Sequence, residues 1–123
     1  MATESRKIVG YRSNVALALT SDAAMVLMTL CEHEPELRSL VADADEQIGW
    51  DQPPGADEVV KLMWQGIKWY SGHHTDIGML EAFMHNTEAI EWYFLRIGEE
   101  PDDVQTEGEF WESDMYIQRT IVL

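Results

Sequence analysis

The chain reads as an α+β protein in which residues 1–123 form a single domain, with helices packed on one face of a mostly antiparallel four-stranded sheet. Three observations predict this. Segments with period-two alternation and segments with helical spacing follow one another in the order β-α-(α)-β-α-β-β. Helices gathered on one face of such a sheet are the natural way to bury it. The 123 residues show no internal repeat and no change of composition, and their number is near the commonest domain size.

The first strand falls at 8–19, where Val15, Leu17 and Leu19 share one face. Ala16 and Ala18 point the other way, leaving room for a closely packed helix. Thr20, Ser21 and Asp22 supply N-cap oxygens for the backbone N–H groups that follow. Val26, Leu27, Leu30 and Cys31 then recur at helical spacing, as do Leu37, Leu40, Val41 and Ala44. Pro35 suits the first turn of a helix and not its interior, so the helical region 22–46 is expected to break or kink there.

Gly49 to Gly55, with Pro53 and Pro54, is a loop. Residues 59–70 form the second strand, alternating as Val60, Leu62 and Trp64 before slipping parity to Ile67 and Trp69. The slip lies at Gln65 and Gly66, which predicts a β-bulge or tight turn. A short helix fits 76–85, with Thr75 as N-cap and Ile77, Leu80, Phe83 and Met84 apolar. Residues 89–97 and 115–122 read as the last two strands. Between them, 98–114 reads as an acidic loop.

Charge narrows the function. Acidic residues number 23 against 8 basic, a formal charge of −15, while 46% of the chain is hydrophobic. That apolar content is too high for a disordered acidic tail. A basic nucleic-acid binder is excluded, because phosphate binding needs concentrated Lys and Arg. The lone Cys31 rules out an internal disulfide and any paired-cysteine metal or redox motif. The apolar run at 15–19 is shorter than a secretory leader requires, and no stretch approaches a membrane span. A cytoplasmic protein is expected.

Familiar catalytic patterns are missing. No glycine-rich nucleotide cradle, nucleophile elbow or paired-histidine zinc motif occurs. A calcium loop starting at Asp43 fails, because Ile48 takes the required glycine position and Pro54 the bidentate glutamate position. His73, His74 and Asp76 form the one local histidine–carboxylate cluster, which Glu81 or His85 would have to complete as a metal or acid–base site. A polar turn entering a helix accounts for the same residues, with Asp76 favourable at the helix start. No cofactor is expected.

The densest feature is residues 99–114, where Glu99, Glu100, Asp102, Asp103, Glu107, Glu109, Glu112 and Asp114 stand without one basic residue. Such a segment repels itself, so its charge either keeps the protein in solution or serves a partner. A surface resembling the phosphate row of nucleic acid would draw the Lys/Arg groove of another protein. Divalent-cation binding by Asp102 and Asp103 is a further reading. Trp64, Trp69, Tyr70, Trp92, Tyr93, Phe94 and Trp111 add aromatic weight on both faces of their strands. The second face therefore needs a cover, from within the chain or from another copy.

Three segments carry a resemblance: Gly10, Tyr11, Arg12 and Ser13; residues 64–70 around Gln65 and Gly66; and Arg96, Ile97, Gly98, Glu99, Glu100, Pro101, Asp102, Asp103 and Val104. With the closing segment 115–122, they resemble small acidic proteins encoded by tailed bacteriophages. The resemblance implies no catalytic residues. It implies a non-enzymatic protein that binds and inhibits a host nucleic-acid-handling or defence protein, without itself binding nucleic acid or membrane. On this expectation Glu99, Glu100, Asp102, Asp103, Glu107 and Glu109 form the working surface, helped by Asp43, Asp45 and Glu46. A homodimer whose acidity only confers solubility is the main alternative. A small metal-dependent enzyme using His73, His74, Asp76 and Glu81 is the other.

Overall fold

In the computed structural model, residues 11–50, 55, 58–70, 75–118 and 120–123 are described. Strand β1 (Ser13–Leu19) leads into helices α1 (Ser21–His33) and α2 (Pro35–Ala42). Strands β2 (Glu46–Ile48) and β3 (Val60–Ile67) precede helix α3 (Thr75–His85). Strands β4 (Trp92–Ile97) and β5 (Val104–Gly108) follow, and β6 (Tyr116–Gln118) and β7 (Thr120–Val122) close the chain. The main sheet has five strands in the order β2-β3-β1-β4-β5, every neighbouring pair antiparallel.

The α+β class therefore holds, but the strand count does not. β1, β3 and β4 lie in segments that the sequence marks as strands, and the structure places them at the centre of the sheet. Neither edge strand was expected: β2 begins at Glu46, the last residue of the expected helical region, and runs on through two residues assigned to no element, and β5 comes from the expected acidic loop. Three residues are too few to display a period, and β5 alternates glutamine and glutamate with residues that pack little. The expected strand at 115–122 lies outside the sheet, folded on itself as the β6–β7 hairpin. The segment 89–97 opens with a 3₁₀ turn, Ala89–Glu91, before β4 begins.

Local chemistry explains the helix ends. Thr20 caps α1, its hydroxyl accepting the Ala23 N–H at 3.3 Å. The Glu34 N–H closes α1 on the Leu30 carbonyl at 2.9 Å, and Pro35 then opens α2. The break at Pro35 was legible, whereas the helix stops at Ala42 and not at 46. In α3, Thr75 is the first helical residue and not the cap before it. The Asp76 carboxylate instead accepts the Ile77 N–H at 2.8 Å.

The two sheet faces are covered differently. Val15, Leu17 and Leu19 pack with Leu62, Trp64, Trp92 and Phe94 against Leu27, Leu37, Leu40, Leu80 and Phe83 of the helices. Burying each such side chain contributes about 1.5–3 kcal/mol. α2 touches both α1 and α3, so the three helices form one layer. On the opposite face Ala16, Ala18, Met63 and Leu95 meet Phe110, Met115 and Ile121. The small alanines thus admit the C-terminal hairpin, not the helix their size suggested. The aromatic strands have their second face covered from within the chain.

The parity slip in β3 is a bulge. β1 and β3 change register between Ser13 and Val15, and Gly66 adopts φ +63° there. Its N–H meets the Asn14 side chain at 2.9 Å while its carbonyl accepts from Arg12 Nη1 at 2.7 Å. Gly108 (φ +89°) ends β5 in the same conformational region, where a Cβ would lie 2.2 Å from the Trp92 carbonyl oxygen. That approach carries the chain off the edge and delivers Phe110 beneath the second face.

Candidate partner-binding surface

One end of the sheet gathers the start of β1, the end of β3 and the β4–β5 turn. Arg96 faces Asp103 across that turn, with Nη2 to Oδ1 at 2.6 Å and Nη1 to Oδ2 at 3.2 Å. This two-pronged geometry suits a guanidinium and a carboxylate. The Tyr11 hydroxyl donates to Asp103 Oδ2 at 2.6 Å, and Arg96 also reaches Ser13 and Gln105 at 3.0 Å each. Burial, reinforced by the hydrogen bond to Asp103, pushes the Tyr11 phenol above the usual tyrosine range. Gly98 makes the packing feasible: a Cβ there would stand 2.0 Å from Asp103 Oδ2 and 2.3 Å from the Tyr11 hydroxyl.

The turn is held by further bonds. Gly98 N–H donates to the Asp103 carbonyl at 2.8 Å, and Asp103 N–H to that of Glu100 at 3.0 Å. Glu99 Oε2 accepts the Arg12 N–H at 2.6 Å, and the Glu100 N–H donates to the Tyr11 hydroxyl at 3.2 Å. Tyr70 donates to the Tyr11 carbonyl at 2.9 Å. The segments that carried the resemblance, around Tyr11, Gly66 and Arg96, therefore meet at this one end.

The expected site residues separate into groups. Asp103 is engaged by Arg96 and Tyr11, so it builds the turn, and both its oxygens face the guanidinium. Asp102 and Glu109 are exposed, as are Glu112 and Asp114 beyond β5. Glu107 accepts from Gln105 and pairs with His85 at 3.3 Å. Asp43, Asp45 and Glu46 lie beside or on β2, at the other edge, four strand spacings or about 19 Å from β5. Asp45 accepts the Gln65 N–H at 2.6 Å. The nine carboxylates are two clusters, not one patch.

Metal chemistry finds little geometry. His73 and His74 lie outside the described residues. Among the described residues, no group of three His, Cys, Asp or Glu side chains is placed to hold a metal ion. Asp76 accepts the N–H of its neighbour Ile77 in the first turn of its helix, and His85 goes to Glu107 and the edge of Trp92. Cys31 is buried, and that burial raises its thiol pKa despite the opposing pull of Arg38. Trp64 donates its indole N–H to the Leu40 carbonyl at 2.8 Å, whereas the buried Trp69 indole nitrogen has no acceptor. Trp111 is 63% exposed and edge-on to Tyr93 at 5.1 Å.

Sequence reasoning missed two things that carry this surface: the strand β5, and the Arg96–Asp103–Tyr11 anchor. The second left a signal, since Arg96 is the last basic residue before eight carboxylates, with only Ile97 and Gly98 between it and the first of them. No protein-family model, curated protein or solved structure matches this chain. No helix among the described residues is long and apolar enough to cross a membrane.

Proposed function

We propose that the protein is a non-enzymatic inhibitor that occupies the basic surface of a nucleic-acid-handling or defence protein, the role implied by its resemblance to small acidic phage proteins. The observation that carries this reading is the concentration of exposed acid on and around the β5 edge. Residues 97–118 hold eight carboxylates and no Lys, Arg or His. Glu99, Glu100, Asp102, Glu109, Glu112 and Asp114 in that stretch are exposed. Charge arrayed this way raises association rates with a basic groove and makes binding fall steeply with salt. Asp43, Asp45 and Glu46 belong to a separate surface on this reading.

The test is capture from nuclease-treated bacterial lysate at low and moderate salt. The native protein is compared with a variant carrying Glu99→Gln, Glu100→Gln, Asp102→Asn and Glu109→Gln. Asp103 stays, because it holds the turn. The native chain is expected to retain a nucleic-acid-binding protein that salt releases, and the variant to lose it. Equal retention by both removes the charge-mimic reading. A second reading, a homodimer, is favoured by one observation: Val26, 54% exposed, lines a groove with Leu30, Leu37, Met79 and Phe83. Recovery of the protein alone, with a dimer in light scattering, would select it.

A further inference from the structure

Past β5 the chain folds into a short loop with two kinds of position. Phe110, Ser113 and Met115 are buried, whereas Glu109, Trp111, Glu112 and Asp114 face solvent. The Glu109 N–H donates to the Ala89 carbonyl at 2.7 Å and the Phe110 N–H to that of Trp92 at 3.1 Å, which ties the loop to the start of β4. The Trp111 N–H then donates to the Glu109 carbonyl at 2.9 Å, and the Asp114 N–H to the Trp111 carbonyl at 3.4 Å. Two tight turns therefore meet at Trp111. One sets Glu109 near it, the other sets Asp114 there, and Glu112 is next in the chain. Among the described residues, no hydrogen bond or ion pair engages the side-chain carboxylates of these three acids.

Trp111 is 63% exposed, against 2–7% for Trp64, Trp69 and Trp92. Its ring centroid lies 5.1 Å from that of Tyr93, with the planes 68° apart. A T-shaped pair occupies at most one face of the indole, so the other face is open. Ring faces carry the negative part of the aromatic quadrupole, and among side chains tryptophan attracts cations best. Carboxylates on either side add to the attraction. A guanidinium suits both features. It is planar and weakly hydrated, so it can lie on a ring while its N–H groups point outward to carboxylates. An ammonium group is compact and strongly hydrated, and stacks less well.

We propose that Trp111 anchors the basic partner by stacking one of its arginine side chains, with the carboxylates of Glu109, Glu112 and Asp114 as the counter-charge. This rests on the acidic-surface reading above and adds a preference that charge alone does not give, arginine over lysine. An aromatic side chain displayed on a loop held by backbone bonds loses little freedom on binding, which is what makes tryptophan an effective anchor at interfaces.

The probes are two eight-residue peptides of equal charge, one alternating arginine with glycine and the other lysine with glycine. The native chain is expected to bind the arginine peptide more tightly. Trp111→Leu is expected to weaken the arginine peptide about two- to fivefold, the range of an exposed cation–π contact, and the lysine peptide by less than about twofold. On the native chain, with no substitution, the arginine δ-methylene protons of the bound peptide should show nuclear Overhauser contacts to the Trp111 ring. Equal affinity of the native chain for both peptides overturns the anchor, as do equal losses in Trp111→Leu or the absence of those contacts. The acidic-surface reading survives such a result if Glu109→Gln/Glu112→Gln/Asp114→Asn weakens both peptides. If neither peptide binds the native chain, that reading falls together with the anchor. A native dimer that Trp111→Leu turns monomeric in light scattering assigns the indole to a second copy and also overturns the proposal.

Discussion

The two edges of the sheet both carry acid, and they use it differently. Beside β2, the Asp45 carboxylate holds the backbone of the β3 bulge, whereas Asp43 ends α2 through its backbone N–H alone. Beside β5, Asp103 is neutralised by Arg96 and Glu107 meets His85, while Glu99, Glu100, Asp102 and Glu109 stand exposed. Asp103 sits between Arg96 and Tyr11 with its side chain 32% exposed and that of Arg96 16% exposed, and this anchor shapes the turn that carries Glu99, Glu100 and Asp102. The density of carboxylates in a sequence thus merges residues that build a fold with residues that the fold presents.

The largest effect should come from removing the anchor. Asp103→Ala takes the carboxylate from the Arg96 guanidinium, which keeps Ser13 and Gln105, and the acceptor from the Tyr11 hydroxyl, and is expected to cost about 2–3 kcal/mol in chemical denaturation. Gly98→Ala should be comparably damaging, because its Cβ would displace the same two groups. If Asp103→Ala is tolerated as easily as a surface change, the division between building and displayed acids fails.

Much of this was readable and some was not, for physical reasons. The central strands announced themselves because each buries residues on both faces, as Val15 to Leu19 do. The Gly66 bulge was visible because a two-residue period cannot change phase without an extra residue. The edges were invisible: β5 is half solvated, so Val104, Gln105, Thr106, Glu107 and Gly108 show no apolar alternation. The hairpin over Ala16 and Ala18 was missed because small residues invite any close layer, helix or strand. The site was legible as a run of acids, yet which acid meets Arg96 depends on a turn geometry that residue spacing does not encode.

Next in size is a pH effect confined to the β5 side. Desolvation and the Asp103 hydrogen bond raise the Tyr11 pKa above its unfolded value, which is about 10. A raised pKa means the folded state holds the phenolic proton more tightly. The resulting stability is fully present below the unfolded value and is lost as pH rises through the folded one. Denaturant midpoints of the native chain should therefore fall more between pH 8 and alkaline pH than those of Tyr11→Phe. Parallel curves for the two proteins would show that the phenol is not coupled to the anchor.

On the β2 side the corresponding change is smaller. Asp45→Ala removes one charge-assisted bond to the Gln65 N–H at a solvated edge, and is expected to cost about 1 kcal/mol. A cost matching that of Asp103→Ala would erase the contrast between the edges.

The smallest effect has the opposite sign and sharpens the comparison most. Asp43 is the C-cap of α2, its N–H bonded to the Ser39 carbonyl at 2.9 Å, and the last turn of that helix carries no basic residue. A helix C-terminus bears a partial negative charge, so a carboxylate there is repelled. Asp43→Asn keeps the backbone bond and removes the repulsion, and should raise stability by about 0.3–1 kcal/mol at low ionic strength. Salt should shrink that gain, because the site is exposed. Asp102→Asn, in a turn with no helix end beside it, should stay within about 0.5 kcal/mol of the native chain. A stabilising Asp43→Asn beside a neutral Asp102→Asn would show that the acids of the β5 turn are carried at little cost to the fold, which is the condition for their serving a partner.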